Sequence, residues 1–242
     1  MQNKSNNYKK YENRYVFFID VLGFSQKVKD SSKPSEIIDI VDCLKNDFIQ
    51  ANEEFKLQLE ITQVSDCIII SFEKSFNFIL HYILYIIAYV QANALVKYGL
   101  LFRGGGTYGK IIHNQHYLFG EAYNRAYNLE SKYALYPRVI IDKQIIEELK
   151  TYEKESCMEY LQEEDIFYYV DYIKSEIFSV DTYNKKIEFY LKLKEKIENV
   201  LHNNKNENVI AKYKWLIFKY NDAIKSFNKE INKELIFINE NY

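Results

Sequence analysis

Ile61-Thr-Gln-Val-Ser-Asp66-Cys-Ile-Ile-Ile-Ser-Phe72 is the stretch on which the fold turns. Leu57, Leu59 and Ile61 alternate with polar residues up to Val64; Ser65-Asp66 then interrupts, and Cys67 to Phe72 is again β-like. Strand, polar pair, strand makes a hairpin with Asp66 at its tip. Upstream, Tyr15-Val-Phe-Phe-Ile19 is an apolar run that ends in Asp20. It reads as a buried strand with a carboxylate at its carboxyl end. If the two strands are neighbours, both carboxylates reach one point. Hard oxygen ligands on adjacent elements suit Mg²⁺ or Mn²⁺, and such pairs often hold two ions in phosphoryl transfer. Taken singly, Asp20 is a helix-capping turn residue and Asp66 a hairpin-turn acid. Only their joint appearance points further.

Around this pair the chain reads as alternating elements. Gly23 breaks the first strand, and Ser25 is placed to cap a following helix. Residues 35–55 carry apolar side chains at helical spacing, with Pro34-Ser35 at the start. An apolar helix over 76–97 ends at Gly99. Leu100-Leu-Phe102 begins a strand that runs into Arg103-Gly-Gly-Gly-Thr-Tyr-Gly109 and then Lys110-Ile-Ile112. Three glycines in a strand weaken it, so they imply close approach of backbone to something, either phosphate or a partner chain; a twisted, bulged strand is the alternative. Gly120 opens a helix to about Tyr133; Arg138–Ile141 reads as a strand, Gln144–Lys154 as a helix and Ile166–Ile173 as β-like. Two Lys/Glu-rich helical stretches, 184–203 and 207–232, carry apolar stripes of Leu191, Ile197, Val200, Leu201 and of Trp215, Leu216, Phe218, Ile224. The pattern predicts an α+β fold. A polar tail spans 1–13, one domain spans 14–183, and a helical hairpin over 184–242 packs on its core.

The composition narrows the function. The chain has 242 residues, 48% hydrophobic and 27% charged, with only 7 Gly and 2 Pro, so it is globular rather than loop-dominated. No glycine follows Gly120, so tight backbone geometry belongs to the first half. Thirty-two basic residues against 34 acidic ones, a net charge of −2, disfavour nucleic acid as a partner. The three cysteines form no CxxC pair, which indicates neither zinc nor disulfides and suits reduced thiols in the cytoplasm. The polar N-terminus is no signal peptide. The apolar run at 76–96 is interrupted by Asn77, His81, Gln91 and Asn93, which favours a buried or interface helix over membrane insertion. His81 reads as a satisfied core residue, and His113 and His116 as solvated loop residues.

Four segments carry a resemblance. Phe18-Ile-Asp20-Val-Leu-Gly23-Phe24-Ser25 resembles the first metal motif of class III nucleotide cyclases, and Val64-Ser-Asp66 the hairpin with their second metal aspartate. Arg103-Gly-Gly-Gly-Thr-Tyr-Gly109 resembles their next strand motif, and Phe119-Gly120-Glu-Ala-Tyr-Asn124-Arg-Ala-Tyr-Asn128-Leu-Glu130-Ser131 the helix that completes the site. Order and spacing agree over residues 14–142. The purine-reading positions hold Thr62 and Tyr117, which makes a differently shaped base pocket. Asn128 stands where the transition-state arginine is expected, with Arg125 and Arg103 nearby. The Arg-Gly-Gly segment, the Ala-Tyr-x-Leu-Glu helix, a Pro-Arg strand and the Tyr-Lys-Trp-Leu helix resemble the pyrimidine cyclases of bacterial Pycsar antiphage systems, which make cyclic UMP or cyclic CMP.

The resemblance implies a class III cyclase fold of ferredoxin-like or palm type: an antiparallel sheet with helices on one face. It implies two Mn²⁺ or Mg²⁺ ions on Asp20, Asp66 and the Val21 carbonyl. Backbone around Gly23, Phe24 and Ser25 would hold the β- and γ-phosphates. Arg103 or Arg125 would stabilise developing charge, and Asn124 would orient the ribose. The substrate would be UTP or CTP, with UTP favoured. The enzyme would be a homodimer with sites at its interface, signalling through a separate cyclic-nucleotide-responsive effector. An adenylate or guanylate cyclase, and a degenerate cyclase domain serving as nucleotide sensor or scaffold, are the alternatives.

Overall fold

Strand β1 (Glu12–Val21) is buried from Arg14 to Phe18 without alternation. A continuous run of Tyr, Val and Phe buried on both faces belongs at the centre of a sheet. In the computed structural model, which describes residues 10–74, 78–174, 182–231 and 237–238, β1 does sit between two partners. On one side is β3 (Cys67–Glu73), antiparallel, with Asp20 opposite Cys67. On the other is β4 (Phe102–His113), also antiparallel, with Asp20 opposite Arg103. β2 (Glu60–Val64) pairs with β3 through the expected hairpin. With α1 (Phe24–Asp30), α2 (Pro34–Phe55) and α3 (Ile79–Tyr98), the order is β-α-β-β-α-β and the sheet runs β2-β3-β1-β4. That is the ferredoxin-like arrangement, in line with the α+β reading. Beyond β4 the sheet continues through β6 (Val139–Asp142), parallel to β4, and the antiparallel hairpin β8 (Phe167–Val170) and β7 (Leu161–Glu164); β5 (Leu118–Phe119) pairs with the end of β4.

The two faces of the sheet are covered differently. On one face Tyr15, Phe17, Ile19, Ile68, Ile70 and Phe72 pack under α2 and α3 in the main core. By length and composition α3 is apolar enough to cross a membrane, yet twelve of its residues are buried within the fold. Each buried Leu or Ile there contributes about 1.5–3 kcal/mol. On the other face Val16, Phe18, Ile69 and Ile111 meet the small Ala122 and Ala126 of α4 (Glu121–Asn128), with Cys67, Leu118 and Tyr123 packed at the edge of the cluster. The helices are therefore not confined to one face. α4 continues as a π-helical turn over Leu129–Tyr133.

The glycine segment is one unbroken strand, and its close approach is to this chain itself, not to phosphate. A Cβ on Gly105 would lie 2.3 Å from the Ala126 carbonyl oxygen, and one on Gly106 would lie 2.6 Å from the Phe17 ring. Gly105 thus lets α4 settle directly on the sheet.

Other expectations are corrected in detail. Ser25 caps nothing: α1 starts one residue earlier, with Gly23 at its N-cap at φ 78°. Leu57 is not in a strand, because Lys56 and Gln58 are left-handed and the Asn52 side chain accepts from the Leu59 amide at 2.9 Å. Residues 144–154 form two helices, α5 (Lys143–Glu147) and α6 (Thr151–Met158), split by an extended Lys150. The beginning of the expected 76–97 helix lies outside the described residues. α7 (Thr182–Asn203) and α8 (Glu207–Ile231) form the C-terminal pair. Ile197, Leu216 and Ile224 are buried as expected, whereas Leu191 and Phe218 are more than half exposed and belong to no stripe. Trp215 stacks on Tyr136, centroids 5.8 Å apart and planes 9° from parallel, which fastens α8 to the sheet domain.

Candidate active site

Asp20 and Asp66 converge because of backbone pairing. Asp20 is the penultimate residue of β1, and its partner in β3 is Cys67, next to Asp66. Ser65, at φ 56°, makes the tight hairpin turn, and the Val21 amide donates to the Asp66 carbonyl at 3.3 Å, tying the tip to β1. One ligand atom each from Asp20, Asp66 and Cys67 lie within 4.8 Å of one another, the only such group among the described residues. Cys67 is the member that sequence reading missed; its Sγ donates to Asp20 Oδ1 at 3.2 Å.

Arg103 faces this group from β4. Its Nε lies 3.4 Å from Asp20 Oδ2 and 2.5 Å from Glu130 Oε1. The second contact is an ion pair without hydrogen-bond alignment, since Oε1 accepts no hydrogen bond. Glu130, on the π-helical turn, is 3% exposed. Burial pushes its carboxyl up to about 7, against the Arg103 charge and helped by Asp20 and Asp66. Burial also raises Asp20, partly offset by the Cys67 hydrogen bond and by Arg103. Burial and the neighbouring Asp20 charge raise the Cys67 thiol, so it stays protonated and is a weak ligand beside the carboxylates. Three carboxyl groups around one guanidinium leave an excess of negative charge, and the oxygens of Asp20 and Asp66 fit a hard divalent cation. Lys212 of α8 approaches the same end; burial and then the Arg103 charge lower its pKa.

The other candidates are not gathered at one point. Phe24 is buried in the main core, so only its backbone faces the turn with Gly23 and Ser25. Val21 continues β1 opposite Phe102. Asn124 and Arg125 are exposed on α4, and Asn128 is half-buried at its end. Arg125 does not reach the aspartates within the chain. Its Nε donates to Asp142 Oδ2 at 3.0 Å, and Asp142 also accepts from Thr107 Oγ1 at 2.7 Å. Thr107 is four residues along β4 from Arg103, about 13 Å away at strand rise. Of the two arginines, only Arg103 meets the aspartates in this chain.

Thr62 lies in the middle of β2, opposite Ile69 of β3, and Tyr117 immediately precedes β5. Tyr117 is exposed, its amide held by Asn114 Oδ1 at 3.0 Å. His113, read from sequence as a solvated loop residue, is instead 6% exposed at the end of β4. Its Nε2 lies 2.9 Å from Thr62 Oγ1 and its Nδ1 2.8 Å from Ser71 Oγ. His81 is satisfied as expected, its Nδ1 2.9 Å from the Ser156 carbonyl.

Comparison with known proteins gives similarity in structure. No protein-family model matches the chain, and no curated protein matches it. Among solved structures it is similar to the adenylyl cyclase CyaB from P. aeruginosa, at 14% identity over 66% of this chain and 94% of that one, TM-score 0.48. It is also similar to the guanylyl cyclase domain of the RhoGC fusion protein from the aquatic fungus Blastocladiella emersonii, at 15% identity over 67% and 96%, TM-score 0.49. A bacterial light-regulated adenylyl cyclase matches at 17% identity over 76% and 99%, TM-score 0.46.

Proposed function

We propose that this chain is a nucleotide cyclase that converts UTP or CTP into the 3′,5′-cyclic nucleotide and pyrophosphate. The observation that carries the reading is the convergence of Asp20 and Asp66, from two paired strands, beside Arg103. In the reaction the ribose 3′-oxygen bonds to the α-phosphorus, the bond from that phosphorus to the β-phosphate bridge breaks, pyrophosphate leaves and the hydroxyl proton passes to solvent. Asp20, Asp66 and the Val21 carbonyl would hold two Mn²⁺ or Mg²⁺ ions. When bound, such cations lower the pKa of a hydroxyl and offset phosphate charge. Arg103 adds a fixed cation at the same end, where loss of such a stabiliser typically costs about 10²–10³ in rate. The first-turn amides at Phe24 and Ser25 serve the triphosphate.

Among the described residues, no side-chain hydrogen bond or ion pair joins Asn124, exposed on α4, to Asp20, Asp66 or Arg103. This supports a head-to-tail homodimer in which α4 of each copy completes the site of the other. Arg125 would join it there on release from Asp142. Thr62 and Tyr117 take the base edge, and a short hydroxyl with a large phenol fits a pyrimidine better than a purine. The Pycsar-like motifs support a role in antiphage signalling through a separate effector.

The test is turnover of purified protein with Mn²⁺ and each of the four nucleoside triphosphates, with the product identified by mass spectrometry. Cyclic UMP or cyclic CMP is the expected product; cyclic AMP or cyclic GMP would reassign the base. Asp66→Ala activity equal to that of the unmodified protein overturns the metal assignment.

A further inference from the structure

Four polar side chains at the base end of the open sheet face form one unbroken relay. Arg14, 6% exposed, donates from Nε to Ser71 Oγ at 3.0 Å and from a terminal nitrogen to the Ser71 carbonyl at 3.1 Å. Ser71 is fully buried. Its Oγ lies 2.8 Å from His113 Nδ1, and His113 Nε2 lies 2.9 Å from Thr62 Oγ1. β-Pairing fixes the line: Arg14 lies opposite Gly109 on β4, and Thr62 lies opposite Ile69 on β3, two residues before Ser71.

The proton directions follow from chemistry. A guanidinium only donates, so the Ser71 oxygen is an acceptor toward Arg14. The Ser71 hydroxyl proton, buried away from water, needs an acceptor of its own. Among the described residues, the remaining group bonded to that oxygen is His113 Nδ1. Nδ1 therefore accepts, and in a neutral imidazole the proton sits on Nε2. Burial, and then the Arg14 charge, lower the His113 pKa to about 4, which keeps the ring neutral. Nε2–H consequently donates to Thr62 Oγ1. The Thr62 hydroxyl cannot spend its own proton on His113 and presents it outward.

We infer that the Arg14–Ser71–His113 relay sets Thr62 as a hydrogen-bond donor toward the base, and that this makes the site select uracil over cytosine. The inference rests on the cyclase reading, in which Thr62 faces the base edge. At position 4 uracil carries a carbonyl acceptor and cytosine an amino donor. An outward Thr62 proton meets the first; toward the second the hydroxyl has only the lone pair that His113 leaves over, and its proton must turn away from the base. With the opposite relay polarity, Thr62 would donate to His113 and offer only lone pairs. Arg14, Ser71 and His113 are positioning residues in this scheme, and Thr62 is the one that touches substrate.

The test compares kcat/KM for UTP and CTP in full-length protein carrying Thr62→Val or Ser71→Ala. Thr62→Val is nearly isosteric on a half-exposed strand position, and its folding is checked by circular dichroism. The expected result is a fall in the UTP-to-CTP ratio of roughly 3–10-fold, the range of one hydrogen bond, in both variants. A structural role alone would lower both substrates together. Nitrogen-15 NMR of His113 reads the tautomer without any substrate, and Nε2–H is expected. Turnover with an unchanged ratio, or an Nδ1–H ring, overturns the relay and leaves the cyclase reading standing. Absence of turnover with all four nucleotides overturns the cyclase reading, and with it the base assigned to Thr62.

Discussion

The two faces of the central sheet use the same four strands to opposite ends. One face points Tyr15, Phe17, Ile68, Ile70 and Phe72 into long helices and buries no charge. The other carries Arg14, Asp20, Ser71, Arg103 and His113, covered by Ala122, Ala126 and the Tyr123 ring of α4. Alternation along each strand makes this division possible, since successive residues point to opposite faces. On these strands the charged and polar groups share one residue parity, and the main-core aromatic and aliphatic groups share the other. Truncation of Tyr15, Phe17 or Ile19 should cost folding, and a change at Asp20 should cost function.

That separation can be broken in several ways. The largest effect is expected for Phe17→Ala, which empties a fully buried site stacked on Phe72. It should lower unfolding free energy by about 3–5 kcal/mol in urea titrations, and any activity remaining at low temperature should keep its nucleotide preference. Asp66→Asn should do the reverse: activity falls about 10²–10³-fold in a pyrophosphate assay, while Tm moves within about 0.5 kcal/mol equivalent, as for a half-exposed position. Equal losses on both measures would end the division by face. Gly105→Ala tests the seam where α4 meets the sheet. A Cβ at 2.3 Å from the Ala126 carbonyl must push α4 outward, at about 1–3 kcal/mol for overpacking, and calorimetry should show it.

A further test is a pH dependence. Folding raises the Glu130 carboxyl from its ordinary 4.5 to about 7, so the native state binds the proton more tightly than the unfolded one. Its effect on stability is absent below about 4.5, grows as a penalty while pH rises toward 7, and is constant above. In metal-free protein Glu130→Gln should therefore gain thermal stability over the unmodified chain at pH 8 and lose most of that advantage at pH 4.5. A constant difference across this range would contradict the buried carboxyl.

Much of the metal end was legible in the sequence because it is written locally. A β-run ending in Asp20 and a two-residue turn carrying Asp66 need only adjacency to meet, and hairpin logic supplies it. Glu130 was not legible, although it lies in a recognisable helix motif. Its inward position follows helical spacing, four residues after Ala126 and eight after Ala122; what spacing does not announce is that the group buried there is a carboxyl facing Asp20, Asp66 and Arg103. His113 was misread because β4 runs unbroken through its glycines to residue 113, so a residue assigned to a loop is a strand residue facing Ser71 and Thr62. The glycine run itself signalled close approach, but the sequence could not say that its own helix is what approaches. Arg125 illustrates a last limit: its bond to Asp142 joins α4 to β6 across a fold that local spacing does not describe.

One small contact sets how firmly the carboxylate pair is spaced. The Val21 amide bonds to the Asp66 carbonyl, so the hairpin tip is latched to the next strand by main chain. The gap between the aspartates is then governed by the sheet ladder, and movements of the surrounding helices reach it weakly. In hydrogen–deuterium exchange the Val21 amide should rank with the slow core amides of β1, although it is the last residue of the strand. The spacing of the two carboxylates should therefore outlast changes in the helices around them.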